Sequence, residues 1–575
     1  MRKQTKFVAV ASAAAILAIG ASMTSFAATG WVEEDGVWYF YNKDGSKVED
    51  EWKKSGDSWY WLSNEENGGM AVDKLIEDSD NKYYVDSNGQ MVKNTWVKVV
   101  NEDQDDDDAA EYNYYYMQSN GKAYKAGDNS NTKFRTIDGK RYAFNDEGKM
   151  LYGWVDGDGS RRSGEDDWAA AGDVYYCGEW NDGAMKTGWQ LIHVHDNEEE
   201  DNLDRWFWFK SNGKRFANTT ESKENIKEKK INGNKYGFDS RGVMVSQWTL
   251  TSGSNSSSAS DWKYFSSPEE GARKTKGWFK VVAPNKDNTF SNNTYDGSFA
   301  KTHAEDESEK WYYADGDGNL AAGEIKKIKG KYYGFRPNDD GGLKGAAMLS
   351  GLVLIKVEDG KIVEVGDDDV DSDKLDDILK ETSKKHVDKD FGLYYFGSNA
   401  DTDGSMKTGA TTVNLDGSTY NFNFAKSGGV ESRGKGVNGI DGDKYIYKFG
   451  CKIKADNDDK YQIVQVTGTK GDTSIGSDSA FVEKIKSQDM RQKADSTVGR
   501  NSDGEKIHYT RAFDDSYYLV NTSGTIIKSK TAAKDGNEWY FYVDGKEIKQ
   551  YTSSKNLKGT ILVDWKTDKK DKSGK

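Results

Sequence analysis

Residues able to do chemistry are thinly spread along this chain. Five histidines occur: His193, His195, His303, His386 and His508. His193 and His195, in LIHVHD, are two apart and so share one face of a strand, with Asp196 nearby. A transition metal can use such a pair, but no third ligand is identifiable, and they read as neutral surface histidines. Neither H-E-x-x-H nor G-x-S-x-G is present. GKGVNG at 434–439 satisfies G-x-G-x-x-G, yet no helical pattern follows it, and it reads as a loop. DGDGS at 156–160 and DGDGNL at 315–320 look like calcium loops. In the second, Leu320 stands where the sharp-turn glycine belongs and Lys326 where the bidentate glutamate belongs. That rejects an EF-hand and leaves only loosely held Ca²⁺ in acidic loops. Carboxylates are too plentiful to nominate an acid–base couple. No catalytic residue, metal site or cofactor is assigned.

The side chains that stand out are aromatic: 18 Trp, 33 Tyr and 22 Phe in 575 residues. With 35% hydrophobic and 31% charged residues, low hydrophobicity alone would favour disorder. So many aromatics argue against that. The 61 Gly and 3 Pro point to many tight turns between short aromatic strands, and the apolar content is too thin for one thick core. A thin, elongated, repetitive structure fits better. Residues 1–27 read as a secretory signal peptide: Arg2, Lys3 and Lys6, an apolar run from Phe7 to Gly20, then Ser25-Phe26-Ala27. Cleavage after Ala27 removes those three positive charges, taking the net charge from −15 to about −18. An acidic exported chain is no nucleic-acid binder. No second stretch is long enough to cross a bilayer, so no membrane contact is expected after cleavage. Cys177 and Cys451 read as small packed residues.

Two alternating units repeat. One opens on a Trp, turns, and continues as an aromatic strand: GWVEEDGVWYFYNKDGSKV from Gly30, EWKKSGDSWYWLSNEENGGM from Glu51. The other reads Ile-x-Gly-x-x-Tyr-x-aromatic, as in IDGKRYAF at 137, INGNKYGF at 231, IKGKYYGF at 328 and IDGDKYIY at 440. Asp-Gly and Asn-Gly supply the positive φ angles of two-residue hairpin turns, and the aromatics between them suit pleated strands. A lone hairpin is marginal in water, so each must stack on the next. The expected fold is all-β, an elongated solenoid of stacked β-hairpin repeats with long loop insertions and one or two short helices. Repeats are expected over 28–355, an insertion with a short helix built on Leu375, Ile378 and Leu379 over 356–390, degenerate repeats over 391–552, and a basic disordered tail over 553–575. Residues 480–495 are read as a second helix. DGNEWYFYVDG at 535–545 echoes DGVWYFYNKDG at 35–45 and reads as a structural cap.

GWVEEDGVWYFYNKDGSKV and MKTGWQLI resemble the cell-wall-binding repeats of Gram-positive surface proteins, of the choline-binding and glucan-binding type. The resemblance is strong from Gly30 to about Gly351, returns at 391–409 and is weak afterwards. It implies a hairpin solenoid secreted to the cell wall or outer surface of a Gram-positive bacterium. In choline-binding members, Trp and Tyr of adjacent hairpins cage a quaternary ammonium of teichoic acid. Matching positions here are Trp31, Trp38, Tyr39, Trp52, Trp59 and Tyr60, with Trp189, Trp206, Trp208, Trp278, Trp311 and Tyr312 in the stretched units. The insertions interrupt regular stacking, and at 351 the Gly-Trp pair has become Gly351-Leu352.

The leading expectation is therefore a non-enzymatic wall-associated protein whose partner is a cell-wall polymer, choline-substituted teichoic acid or wall glycan. A secreted adhesin holding host or dietary carbohydrate is the alternative. A divergent amidase-like peptidoglycan hydrolase, hidden in the C-terminal region, is the third. No C-terminal sorting motif with a hydrophobic tail is recognisable, so retention is expected to come from the repeats.

Overall fold

The computed structural model describes residues 29–102, 110–126, 132–196, 199–219, 224–253, 257–274, 276–291, 295, 298–300, 307–337, 345–380, 391–429, 432–468, 473–475, 480–487, 507–513, 516–535, 539–552, 555 and 561–564. The stretch read as a signal peptide, the DDDD run, His303, His386 and residues 565–575 lie outside them, as do the side chains of 507–512, including His508. Contacts divide the chain into two units: residues 1–229 with 237–244, and residues 230–236 with 245–575.

Both units have the expected all-β hairpin-repeat architecture. In the first hairpin, Gly30–Glu34 pairs antiparallel with Val37–Tyr41. Asp35 (φ +51°) and Gly36 (φ +84°) form the two-residue turn, whose double positive φ matches the twist of the strands. Asp138-Gly139, Asn232-Gly233 and Asp416-Gly417 turn with the same pair of signs. The turn fixes the register, and the register places an aromatic across from the leading Trp. Trp31 lies opposite Phe40 and Trp52 opposite Trp61; Trp96 faces Tyr116, Trp189 faces Trp208, and Trp278 faces Tyr313.

After the second strand, the chain makes a six-residue return. Bridges join Val85 to Met91, Met117 to Ala123, Phe144 to Met150 and Phe209 to Arg215 in the first unit, and Ala314 to Leu320 in the second. An Asx side chain organises the return: Asp86 Oδ1 accepts the N–H groups of Asn88 and Gln90, both at 2.9 Å. The DGDGNL stretch is one of these turns. Asp315 Oδ1 accepts from Asp317 N at 2.8 Å and Asn319 N at 2.9 Å.

The residue after the return then hydrogen-bonds to an earlier hairpin. Met91 N donates to Trp59 O, Ala123 N to Lys82 O, Met150 N to Tyr114 O and Met185 N to Arg141 O, each at 2.8 Å. Its side chain lies over a later turn glycine. A Cβ on Gly121 would collide with Met91 Sδ, one on Gly183 with Met150 Sδ, and one on Gly213 with Met185 Sδ. In the second unit Met348 covers Gly404 and Met406 covers Gly434 in the same way. A methionine–glycine spine thus runs through each unit and sets how closely its hairpins approach.

The long insertions join the two strands of single hairpins, as between Trp154–Asp156 and Val174–Tyr176. They are not wholly loop. Phe299, from the insertion between Gly277–Val282 and Glu309–Ala314, is fully buried against Trp248 at 5.5 Å and Trp262 at 6.1 Å. The helix Ser372–Lys380 forms where expected and buries Leu375, Ile378 and Leu379. The helix expected within 480–495 does not start as one: Phe481–Ile485 is a strand paired with Tyr461–Thr467. Its alternation buries Val482 between neighbours of higher exposure, and pairing takes precedence over helical propensity. The first sheet, Gly30–Met70, has five strands; from Glu324 onward there are two of five and one of eight, over a core rich in Leu, Val and Ile. Cys177 and Cys451 are buried free thiols, both pushed up to about 12 by burial.

Candidate aromatic ligand sites

Each open leading Trp meets the aromatic across its own hairpin and one brought by the next, and Trp96 and Trp278 also stack on Phe144 at 5.9 Å and Phe335 at 5.6 Å. Trp31 meets Phe40 (5.4 Å between centroids, 87° between planes) and Tyr60 (5.3 Å, 72°). Trp52 meets Trp61 (5.2 Å, 61°) and Tyr83 (5.1 Å, 62°). Trp96 meets Tyr116 (5.2 Å, 73°) and Tyr142 (4.8 Å, 66°). In the second unit Trp278 meets Tyr313 (5.2 Å, 73°) and Tyr333 (4.8 Å, 68°). Edge-to-face contact is the favoured geometry of aromatic pairs. It also makes corners, in which several π faces can converge on one cation. In all four the Trp stays half-buried, so the corner reaches solvent.

The expected site residues divide accordingly. Trp31 and Tyr60 share one corner, Trp52 founds the next, and Trp189 gathers Trp208 at 5.3 Å and Trp206 at 6.0 Å. Trp278 and Trp311 meet at 6.3 Å and 86°. Trp38 lies opposite Glu33, and Trp59 opposite Lys54 with 37% of its surface exposed, both outside the corners. Tyr39 instead carries the Lys47 ammonium 3.3 Å from its ring centroid. Tyr312 is fully buried, packed on Trp248 and Phe279. Phe40, Trp61, Tyr83, Trp96, Tyr116, Tyr142, Tyr313 and Tyr333 complete corners that sequence spacing did not single out. Counting cross-strand register from the two-residue turn would have found Phe40 and Trp61, since 31 and 40 are symmetric about 35 and 36, whereas the hairpins of Trp96 and Trp278 carry insertions and offer no such count.

Charge favours a cation at some corners and closes others. Trp52 Nε1 donates to Asp78 Oδ2 at 3.2 Å. Burial pushes the Tyr83 phenol up and the Asp78 carboxylate adds to it. Burial likewise raises Tyr116 and Tyr142, and Asp138 contributes at both. At the first corner the chain's own Lys53 ammonium lies 5.2 Å from the Phe40 centroid, tethered to Glu51 at 2.7 Å. Trp154 is 9% exposed, with the Arg215 guanidinium 5.9 Å from its ring. Arg215 donates to the carbonyls of Trp168 and Ala170, and burial lowers it to about 10. Trp248, between Tyr264 and Tyr312, is fully buried.

Each histidine of the pair is engaged across its hairpin. His193 Nδ1 lies 2.9 Å from Asp204 Oδ1, and His195 Nδ1 lies 3.2 Å from Asn202 Oδ1, both across the hairpin. Asp196 is buried on the opposite face, clamped by Arg205 at 2.8 Å and Arg241 at 2.7 Å. Among the described residues no group of three or more His, Cys, Asp or Glu could hold a metal ion. Also among them, no helix is long and apolar enough to cross a membrane.

Solved structures similar to this chain include proteins of Streptococcus pneumoniae. The modular autolysin LytC, in complex with a synthetic peptidoglycan ligand, is 17% identical, with 57% of this chain matched to 55% of that one at a TM-score of 0.29. The choline-binding domain of CbpL is 22% identical over 38% of this chain and 97% of that domain, at a TM-score of 0.21. The choline-binding domain of Spr1274 is 32% identical over 17% of this chain and 95% of that domain, at a TM-score of 0.13. The chain spans just over half the length of LytC. No family model matches the sequence, and no curated protein matches it.

Proposed function

We propose that the open aromatic corners bind quaternary ammonium groups on a cell-wall polymer, choline-substituted teichoic acid above all, and so hold an exported, non-enzymatic protein at the wall. The observation that supports this reading is the recurrence of one three-ring corner, with the Trp half-exposed at Trp31, Trp52, Trp96 and Trp278. A cation over an aromatic face gains about 0.5–2 kcal/mol. A methylated ammonium suits such a corner because it loses little hydration on entering and needs no hydrogen-bond acceptor. Two or three faces acting together give millimolar affinity for one corner, by order of magnitude. Several corners on one chain, meeting many ammonium groups on one polymer, raise retention well beyond that.

The test is adsorption of the full-length chain to purified walls with and without teichoic acid, followed by elution with free choline. Retention on teichoic-acid-bearing walls alone, with release by choline and none by equimolar sodium chloride, is the expected result. Retention on stripped walls that choline leaves unchanged would exclude the corners as the anchor.

A further inference from the structure

The strand Lys227–Ile231 alternates its charges, with Lys227 and Lys229 on one face and Glu228 on the other. Both lysines turn toward a single ring: the Lys229 ammonium lies 5.1 Å from the Phe216 centroid and that of Lys227 5.4 Å. A third, Lys210, reaches the same ring at 5.9 Å. Phe216 is buried, edge-to-face with Phe238 at 5.3 Å and 79°, and gives the lysine stems an apolar floor. Lys210 and Lys227 are exposed and Lys229 is half-buried, so the patch opens to solvent. All four residues belong to the first unit.

Lys210 stands where other returns place an acceptor. Its N–H donates to Lys214 O at 2.9 Å, and Gly213 N donates to Lys210 O at 2.8 Å. The same pair of bonds is made at Asp86, Asp239 and Asp315, whose carboxylates also tie down the turn. At 210 an ammonium replaces that carboxylate. None of the three lysines has a carboxylate within ion-pair distance among the described residues, whereas the neighbouring Lys214 is paired with Asp173. On a chain of net charge −15, three unneutralised ammonium groups around one ring form a local site for an anion.

We propose that Lys210, Lys227 and Lys229 bind a phosphate group. Each ammonium is a point charge with three N–H donors, which suits the several oxygens of a phosphate. A quaternary ammonium is repelled by the same three charges. The ligand chemistry is thus opposite to that of the corners, and the inference stands whether or not they bind choline. Salt confines the attraction of so few charges to close range, so the site makes a contact and does not draw the chain in from a distance.

The group can be a terminal monoester, with about two charges at pH 7, or a diester within a polymer, and the experiment carries both. The full-length chain is titrated calorimetrically with glycerol 3-phosphate, dimethyl phosphate and sodium acetate, at a matched ionic strength of about 0.05 M. At least one phosphate ester should bind fivefold or more tighter than acetate, and the tighter ester names the source. Lys210→Asp restores the residue type of the other returns, so the turn accommodates it. It should weaken phosphate binding at least fivefold while leaving a choline titration unchanged. Lys227→Gln, an exposed change, should weaken it too. Four results would overturn the proposal: no saturable binding of either ester up to roughly 50 mM, less than a fivefold preference over acetate, binding that neither substitution weakens, or a loss that takes choline binding with it.

Discussion

Tryptophans at one repeat position have different fates, decided by what the neighbouring chain brings to them. Trp52 keeps an open side and a carboxylate at its indole N–H. Trp248 occupies the equivalent strand position but is sealed by Tyr264, Tyr312 and the inserted Phe299. The same substitution should therefore do two different things. Trp52→Ala should reduce the number of choline sites titrated per chain while moving the thermal transition little. Trp248→Ala should cost about 3–5 kcal/mol as a large buried ring is lost, and leave the number of choline sites on the folded protein unchanged. Calorimetric site counting, with the unfolding transition recorded on each variant, separates the two. Which Trp is which was not legible in the sequence. The seven-residue spacing of Trp31 to Trp38 and Trp52 to Trp59 was visible, but the contacts follow the register, nine residues on, and the third ring comes from another hairpin.

The hairpins themselves were readable because Asp-Gly and Asn-Gly turns and alternating aromatics are local signals. The spine that fixes their spacing was not, since a Met two residues after a turn glycine has no local role. It acts on the next repeat. Gly121 (φ +83°) shows both constraints, being left-handed and covered by Met91. Gly121→Ala should destabilise by about 1–3 kcal/mol, combining backbone strain with overpacking. In Met91→Ala the overpacking part should vanish and the φ part remain, so a double-mutant cycle should show coupling of about 0.5 kcal/mol or more. Additive effects would mean that the contact is slack. The short helix Ala400–Asp403 carries a pH-dependent element of the same kind. Lys407, then Ser405, hold the Asp403 carboxyl down to about 2. Lys280, then the Trp311 indole, hold Asp401 below its ordinary 3.8. Both fold with fewer protons than the open chain binds, so their contribution is complete above about pH 4 and is lost as the pH falls toward 2. Solvent screening keeps it small. The Trp311 indole N–H resonance should shift on acidification below the ordinary carboxylate value, and Asp401→Asn should abolish that shift. A resonance that stays put in the unsubstituted chain would mean that Asp401 does not hold the ring.

Across the whole molecule, the blurring of the repeat from about residue 410 has a physical cause. The sheets of that region, one of five strands and one of eight, close over aliphatic side chains such as Val464, Val466, Leu519 and Val520, whereas the five-stranded sheet of Gly30–Met70 is built on Trp31, Trp52 and Trp61. Trp is no longer required there, and the sequence signature fades with it. The overall charge bears on how the chain is held. At −15 at pH 7 it is acidic, and phosphate-rich wall polymers are acidic as well. Long-range forces therefore oppose association, and attachment must come from short-range contacts that salt screens weakly. Retention on walls should hold or increase as sodium chloride rises from about 0.05 to 0.5 M, where the Debye length shrinks several-fold. A protein held by Lys and Arg against phosphate would be released over the same range. Loss of this chain from the wall in salt would move the anchor from the aromatic corners to its lysines, Lys47 and Lys274 among them.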